Sequence, residues 1–400
     1  MSKKIAFLIA DGMGDWPIAA LAGKTPLESA HTPHMDALAR EGSVGLCRTV
    51  PEGLPPGSDI ANMALLGCNP AVFHTGRGPI EAAAQGLELA PEDLIWRCNL
   101  VQVSQWSEAG IMVDYSAGHI DSDTAGRLIT LLRKQLGGNN GLDFHAGVQY
   151  RHLLTQSGRA QGDEARLFIR PPHDILDQPI GEDLQRFQQA PALWEAINKA
   201  AKLLADPALN PSQANAIWPW GQGKPLRLPF FAERFGMRGA VISAVDLIKG
   251  LGRAMGMTVA EVPGATGYLD TDYAGKVRTA LDFLDQGDFV FVHVEAPDEC
   301  GHQGSLENKV RAIEDFDAQV VGPMRAGLAD QGCAMLIACD HLTPLVKRTH
   351  VADPVPFLLW PGISAGATAN GFGETQAAST GLILEQGEEL LPWILRSFKV

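Results

Sequence analysis

No apolar run in this 400-residue chain is long enough to span a bilayer. Met1-Ser2-Lys3-Lys4 leads straight into a short strand-like segment, so no signal peptide is expected. Paired cysteine spacing is also missing. The six cysteines, Cys47, Cys68, Cys98, Cys300, Cys333 and Cys339, are scattered, and several fall in apolar segments, which suits reduced core thiols and a cytoplasmic location. There is no internal repeat, no low-complexity tract and no G-x-S-x-G elbow, and the last absence disfavours a serine hydrolase of that type. Cations are in short supply as well. With 32 Lys+Arg against 46 Asp+Glu, the formal net charge is −14, which excludes nucleic acid and anionic membrane as expected partners. An anionic substrate would then need metal ions and a local arginine cluster to reverse the potential at its site.

What is present is a set of acids and imidazoles placed just after apolar segments. Residues 334–339 read as a strand buried on both faces of a parallel sheet, and Asp340, His341 and, after a Pro-bearing loop, His350 follow it. Open sheets of this kind collect ligand chemistry at the carboxyl ends of their strands. Taken alone, the stretch reads equally as an Asp-His turn with a capping carboxylate. Residues 288–294, DFVFVHV, form a second apolar strand, and beyond it Asp298 and His302 stand at i and i+4, within reach of one ion on a helical turn. Cys300 lies between them but would point elsewhere. A third strand, 5–10, ends in Asp11-Gly12-Met13-Gly14. Six candidate ligands from three strand ends exceed what one tetrahedral ion takes, so two divalent ions are expected, with manganese, zinc, cobalt and magnesium all compatible with Asp and His donors.

Between these strands, the rigid loop 51–57, PEGLPPG, delivers Ser58 to the start of a helix. Ser58 is either a helix cap or, beside two ions that lower its hydroxyl pKa, a nucleophile for a phosphoanion. Strand and helix patterns alternate before and after the middle of the chain, with helices expected at 244–255 and 273–284. From about 86 to 219 the composition changes. The expected architecture is therefore α/β: a doubly wound, mostly parallel sheet formed by residues 1–85 and 220–400, with a smaller α+β cap domain inserted at 86–219. In that insert, 142–154 reads as loop and strand, and 210–227, with Trp218-Pro219-Trp220-Gly221, as a linker.

Asp11, Ser58, Asp298, His302, Asp340, His341 and His350, taken with DGMGDWP, KTPLESAHTP, PPGSDIANMALLG, TGRGPIEA, PGATGYLDT, EAPDECGH and DHLTP, occur in an order that resembles the alkaline phosphatase superfamily. More closely, the chain resembles the archaeal-type, cofactor-independent phosphoglycerate mutases, over nearly its whole length. The resemblance implies one ion held by Asp298, His302 and His350 and a second by Asp11, Asp340, His341 and the Ser58 oxygen. It also implies transfer of a phosphoryl group from 3-phosphoglycerate to Ser58 and back to the 2-hydroxyl, with no 2,3-bisphosphoglycerate required.

One stretch departs from that family. Where archaeal members carry D-R-x-A-G-R, this chain has Asp114-Tyr115-Ser116-Ala117-Gly118-His119. A bacterial subgroup shares this look, and some of its members have been proposed to act as homoserine kinases, so a phosphotransferase or phosphatase acting on another small substrate is the alternative reading. With two arginines replaced, the remaining candidates for an anion clamp are Arg77, Arg97, Arg151 and Lys249, with His119, His152 and His173.

Overall fold

The computed structural model describes residues 4–329, 332–361 and 368–397. The chain divides into two compact units: unit 1 is Met1–His74 with Arg227–Val400, and unit 2 is Thr75–Leu226. Strands are numbered along the whole chain. Unit 1 contains β1 (Ile5–Ala10) and β2 (Ser43–Cys47), unit 2 contains β3 (Leu94–Val103), β4 (Met112–Asp114), β5 (Leu142–His145), β6 (Arg151–Gln156) and β7 (Ala216–Gly223), and unit 1 resumes with β8 (Gly239–Ile242), β9 (Thr258–Val259), β10 (Phe289–Val294), β11 (Ala334–Ala338), β12 (Val355–Trp360) and β13 (Ile383–Leu384).

In unit 1 the strands form one sheet in the order β13-β2-β12-β11-β1-β10-β8-β9. All neighbours are parallel except those of β12, which runs against both β11 and β2. Every residue of β1, β10 and β11 is buried, as expected when helices cover both faces of a parallel sheet. The first strand of the chain, β1, lies between β10 and β11. Ile9 therefore stands beside His293 on one side and Ala338 on the other, and the carboxyl ends of three strands distant in sequence adjoin. The sheet is the doubly wound, mostly parallel one expected, and the helix at Tyr273–Leu284 matches its predicted range, whereas the helix expected over 244–255 begins later, at Asp246–Ala254.

Unit 2 is α+β with an antiparallel sheet. Its long strand β3 pairs with β4, β6 and β7, and β6 pairs with β5. The helices Ser122–Leu136 and Pro191–Leu204 bury Leu128, Ile129, Leu132 and Leu193, Ile197, Leu204, the i, i+3, i+4 stripe that drives an amphipathic helix onto a sheet. Two sequence expectations change here. The unit starts at Thr75 rather than 86, because the helix Arg77–Ala84 packs on β3 and β7, and it ends at Leu226 rather than 219. The supposed linker around Trp218-Pro219-Trp220 is β7, paired with β3 across a register shift, and Trp218 is fully buried in the unit's core. Proline and glycine within that strand gave it the look of a loop.

Candidate metal centre

Each candidate ligand sits where the sheet of unit 1 leaves it. Asp11 follows β1, and its backbone N–H donates to Val294 O at 2.9 Å, tying it to the end of β10. Asp298 and His302 lie one turn apart on the helix Ala296–Gln303, and Asp340 and His341 follow β11. The turn after Asp11 has to be glycine. Gly12 has φ +59°, and a Cβ there would lie 2.5 Å from Asp298 Oδ1 and 2.6 Å from Thr343 Oγ1.

These side chains converge. Ligand atoms of Asp298, His341 and His350 lie within 4.8 Å of one another, as do those of Asp11, His293 and Asp340. His302 Nε2 is 3.1 Å from Asp298 Oδ2 and 3.0 Å from His350 Nε2. His341 Nε2 bridges the two groups, 3.4 Å from both Asp11 Oδ1 and Asp340 Oδ2. Ser58 is the first residue of the helix Ser58–Leu65, whose cap is Gly57, so its hydroxyl does not serve as the helix cap. Instead Ser58 Oγ lies 3.0 Å from His341 Nε2.

Hydrogen bonds assign the imidazole protons. Thr343 Oγ1 donates to Asp298 Oδ1, so it must accept from His341 Nδ1, at 3.2 Å. His302 Nδ1 donates to the Arg348 carbonyl at 2.9 Å. With Nδ1 anchored in both rings, Nε2 is the nitrogen turned to the centre, as in a metal-binding histidine whose other nitrogen is held. Burial brings His341 down to about 4, keeping its Nε2 lone pair free at neutral pH. Burial likewise opposes charge on His302, but the hydrogen bond and charge of Asp298 outweigh it and hold this ring up at about 9. Burial, then the charges of Asp340 and Asp298, raise Asp11 well above the carboxylate range.

Acids and lone pairs packed this closely repel one another without a cation between them, and Asp11 Oδ1 and His293 Nε2 are buried with no hydrogen-bond partner among the described residues. Ligand bonds of about 2.0–2.1 Å at tetrahedral angles place donor atoms roughly 3.3–3.4 Å apart, close to the spacings here. The donors fit divalent cations in charge, type and spacing.

Buried lysines steady the surrounding loops. Lys309 Nζ donates to Gly14 O at 3.1 Å, Asp15 Oδ2 at 2.8 Å and Thr343 O at 2.8 Å, joining the loops after β1 and β11. Asn62, one turn after Ser58, donates to Asp340 Oδ2 at 2.7 Å and to Ser58 O at 2.9 Å. The sequence reading missed His293, Asn62, Thr343 and Lys309. A polar residue near the end of an otherwise apolar strand was the available signal for His293, and the i+4 spacing from Ser58 was that for Asn62.

The anion-clamp candidates separate. Within unit 2, Arg97 Nη1 is 3.0 Å and Arg77 Nε 3.5 Å from Glu81 Oε1, and their guanidinium carbons stand 4.8 and 5.9 Å from the Trp220 ring centre. His173 packs edge-on to Trp220 and to Tyr115, which in turn meets Tyr150, and Arg151 lies 5.6 Å over Tyr150. Burial brings Arg97 down to about 10, with Glu81 opposing and Arg77 and Arg151 adding to the shift, so it remains a cation at neutral pH. His152 is part of the core: burial brings it down to about 3, and its Nδ1 accepts from Gly147 N at 3.0 Å. The His119 side chain is exposed, and Lys249, in unit 1, is paired with Glu261 at 2.8 Å.

A family model described as 2,3-bisphosphoglycerate-independent phosphoglycerate mutase matches residues 39–210. A protein of Geobacter sulfurreducens named as a probable member of that family is 46% identical over 401 residues, covering 98% of this chain and 99% of its own. A Methanothrix thermoacetophila mutase of the same name is 44% identical, covering 97% and 98%. Among solved structures, a Pyrococcus horikoshii protein superposes with TM-score 0.83 at 28% identity, covering 99% and 97% of the two chains, and the cofactor-independent phosphoglycerate mutase of Thermoplasma acidophilum with 0.65 at 25%, covering 98% and 99%. With relatives this similar along nearly its whole length, the chain belongs to the family of 2,3-bisphosphoglycerate-independent phosphoglycerate mutases.

Proposed function

We propose that the protein interconverts 3-phosphoglycerate and 2-phosphoglycerate through a phosphoserine formed on Ser58. The observation that carries this reading is the Ser58 hydroxyl, 3.0 Å from His341 Nε2 and beside two groups of candidate ligands. Asp298, His302 and His350 would hold one divalent ion, and Asp11, Asp340, His341 and the Ser58 oxygen a second, with manganese, zinc, cobalt and magnesium as candidates. Bound there, the two ions would supply positive charge to the attacking and leaving oxygens of an in-line transfer.

The protein's own groups do the rest. Ser58 Oγ, 3.0 Å from His341 Nε2, is the nucleophile; with its oxygen bound at the second position the hydroxyl pKa would be lowered, so that its proton passes to water without a histidine base. The Ser58 oxygen bonds to phosphorus as the bond to the glycerate 3-oxygen breaks, and that oxygen gains a proton. In the second half the 2-hydroxyl of the retained glycerate attacks phosphoserine, loses its proton and restores Ser58. Retention of the glycerate separates a mutase from a phosphatase, and Arg77, Arg97 and Arg151 are the groups proposed to bind its carboxylate. The net charge of −14 makes such a local cluster necessary for an anionic substrate. The reading places the enzyme in the cytoplasm.

Turnover of 3-phosphoglycerate by the purified enzyme, measured with and without a chelator and in Ser58→Ala, tests this. Chelation should abolish activity, and the alanine variant should lose roughly 10⁴-fold or more. A fully active Ser58→Ala rules out the nucleophile. Because Tyr115 and His119 occupy positions where archaeal relatives have arginines, homoserine with a phosphoryl donor is the parallel assay, and turnover there without mutase activity would favour the kinase alternative.

A further inference from the structure

We propose that His293 is a ligand of the deeper cation, with Asp11 and Asp340, and that Glu295, Lys276 and Ser243 hold its ring in the ligating tautomer; the inference rests on the two-ion reading above. His293 is fully buried in β10, beside Ile9 of β1, so its ring lies close to Asp11. Its Nε2 is 3.4 Å from Asp11 Oδ2 and, among the described residues, has no hydrogen-bond partner; Asp11 Oδ1 has none there either.

The neighbouring carboxylate decides the tautomer. Glu295 Oε1 accepts from Ser243 Oγ at 2.7 Å and Ala244 N at 3.2 Å, and Oε2 accepts from Lys276 Nζ at 3.1 Å. Lys276 is itself fully buried and also donates to His293 O at 2.8 Å. With two neutral donors on Oε1 and a buried ammonium on Oε2, Glu295 is held as a carboxylate. It has no proton to give, so His293 Nδ1, 3.1 Å from Oε1, must be the donor. Nε2 of the neutral ring is then a bare lone pair aimed at the Asp11 carboxylate. Against an ionised Asp11 this contact at 3.4 Å is repulsive, and a cation between the two atoms turns it into coordination. A histidine whose role was only to fill the core would not be aimed at an acid with its ring proton on the far side. Glu295 and Lys276 act through His293 and are positioning residues.

The test is Co(II) titration of metal-stripped protein, followed by bound-ion stoichiometry and the visible d–d absorption of the cobalt. Wild type should bind two ions per chain. His293→Gln should retain one and bind the other about 10- to 100-fold more weakly or worse, with altered absorption and unchanged circular dichroism; Glu295→Gln should show a smaller loss of the same ion. If His293→Gln binds both ions with wild-type affinity and spectrum, the proposal is wrong. If wild type binds fewer than two, the two-ion reading itself fails. Should His293→Gln not fold, wild type decides alone: in ¹⁵N-histidine-labelled, zinc-loaded protein, four metal-bound Nε2 resonances are expected, from His293, His302, His341 and His350, and three would overturn the assignment.

Discussion

Unit 1 gathers buried carboxylates and imidazoles at the ends of parallel strands; unit 2 lays the buried Arg97 and the partly exposed Arg77 and Arg151 on aromatic rings over an antiparallel sheet. Neither group is balanced by its own charges. Asp11, Asp298 and Asp340 are drawn together at one strand-end cluster, and Arg77 and Arg97 share one carboxylate, Glu81, with the charge of Arg151 acting on Arg97. The fold meets the two burial costs differently. Unit 1 uses internal ammonium groups directed at carbonyls and carboxylates, Lys309 with three acceptors and Lys276 with two. Unit 2 uses the faces of Trp220 and Tyr150, which stabilise a cation without neutralising it and so leave its charge available to an anion.

That contrast can be broken at its strongest point. Lys309→Met should remove about 3–5 kcal/mol from unfolding stability in urea, because Asp15 would be left buried without its partner. A loss below about 1 kcal/mol would show that the strand-end loops hold without the internal cation. Arg97→Lys keeps the charge but removes the fork that reaches Glu81 and the planar stack on Trp220. It should lower kcat/KM roughly 10- to 100-fold, about 1.4–2.7 kcal/mol, with metal content unchanged. Lost metal instead would mean the two clusters do not act separately. The smallest effect concerns Glu374, which accepts from Thr25 Oγ1 at 2.7 Å and Asp15 N at 3.0 Å and which burial raises to about 7. Because the folded state binds this proton more tightly, stability should fall as pH rises from about 4.5 to about 7. Glu374→Gln should flatten that slope and recover about 1–2 kcal/mol at pH 8, read from melting temperature against pH. An unchanged slope would assign the pH dependence elsewhere.

The same contrast decided what the sequence could reveal. Strands β1, β10 and β11 of unit 1 are continuous apolar runs with an acid within a few residues of each end, so the sheet and the candidates Asp11, Asp298, Asp340, His302, His341 and His350 were legible from local pattern. Ser58 was legible only as an ambiguity, which the Gly57 cap and the His341 contact settle for the geometry of its hydroxyl. His293 was hidden by its surroundings, since a single imidazole in DFVFVHV does not disturb the apolar pattern and its meaning comes from Asp11, 282 positions away in the chain. Unit 2 was harder to read. Its key scaffold residue, Trp220, lies in a strand containing Pro219 and Gly221, where local preference favours a loop and only pairing with β3 overrides it.

The position of β1 at the middle of its sheet bears on how the chain acquires its structure during synthesis. It leaves the ribosome long before its partners, since β10 begins at Phe289 and β11 at Ala334, so its edges stay unpaired while some 280 residues are added, roughly fifteen seconds to a minute at ordinary elongation rates. Unit 2, contiguous from Thr75 to Leu226, has every strand of its sheet well before then. The nascent polypeptide thus carries a finished insert beside an apolar segment still waiting for its neighbours, and this is the interval in which chaperone protection matters most.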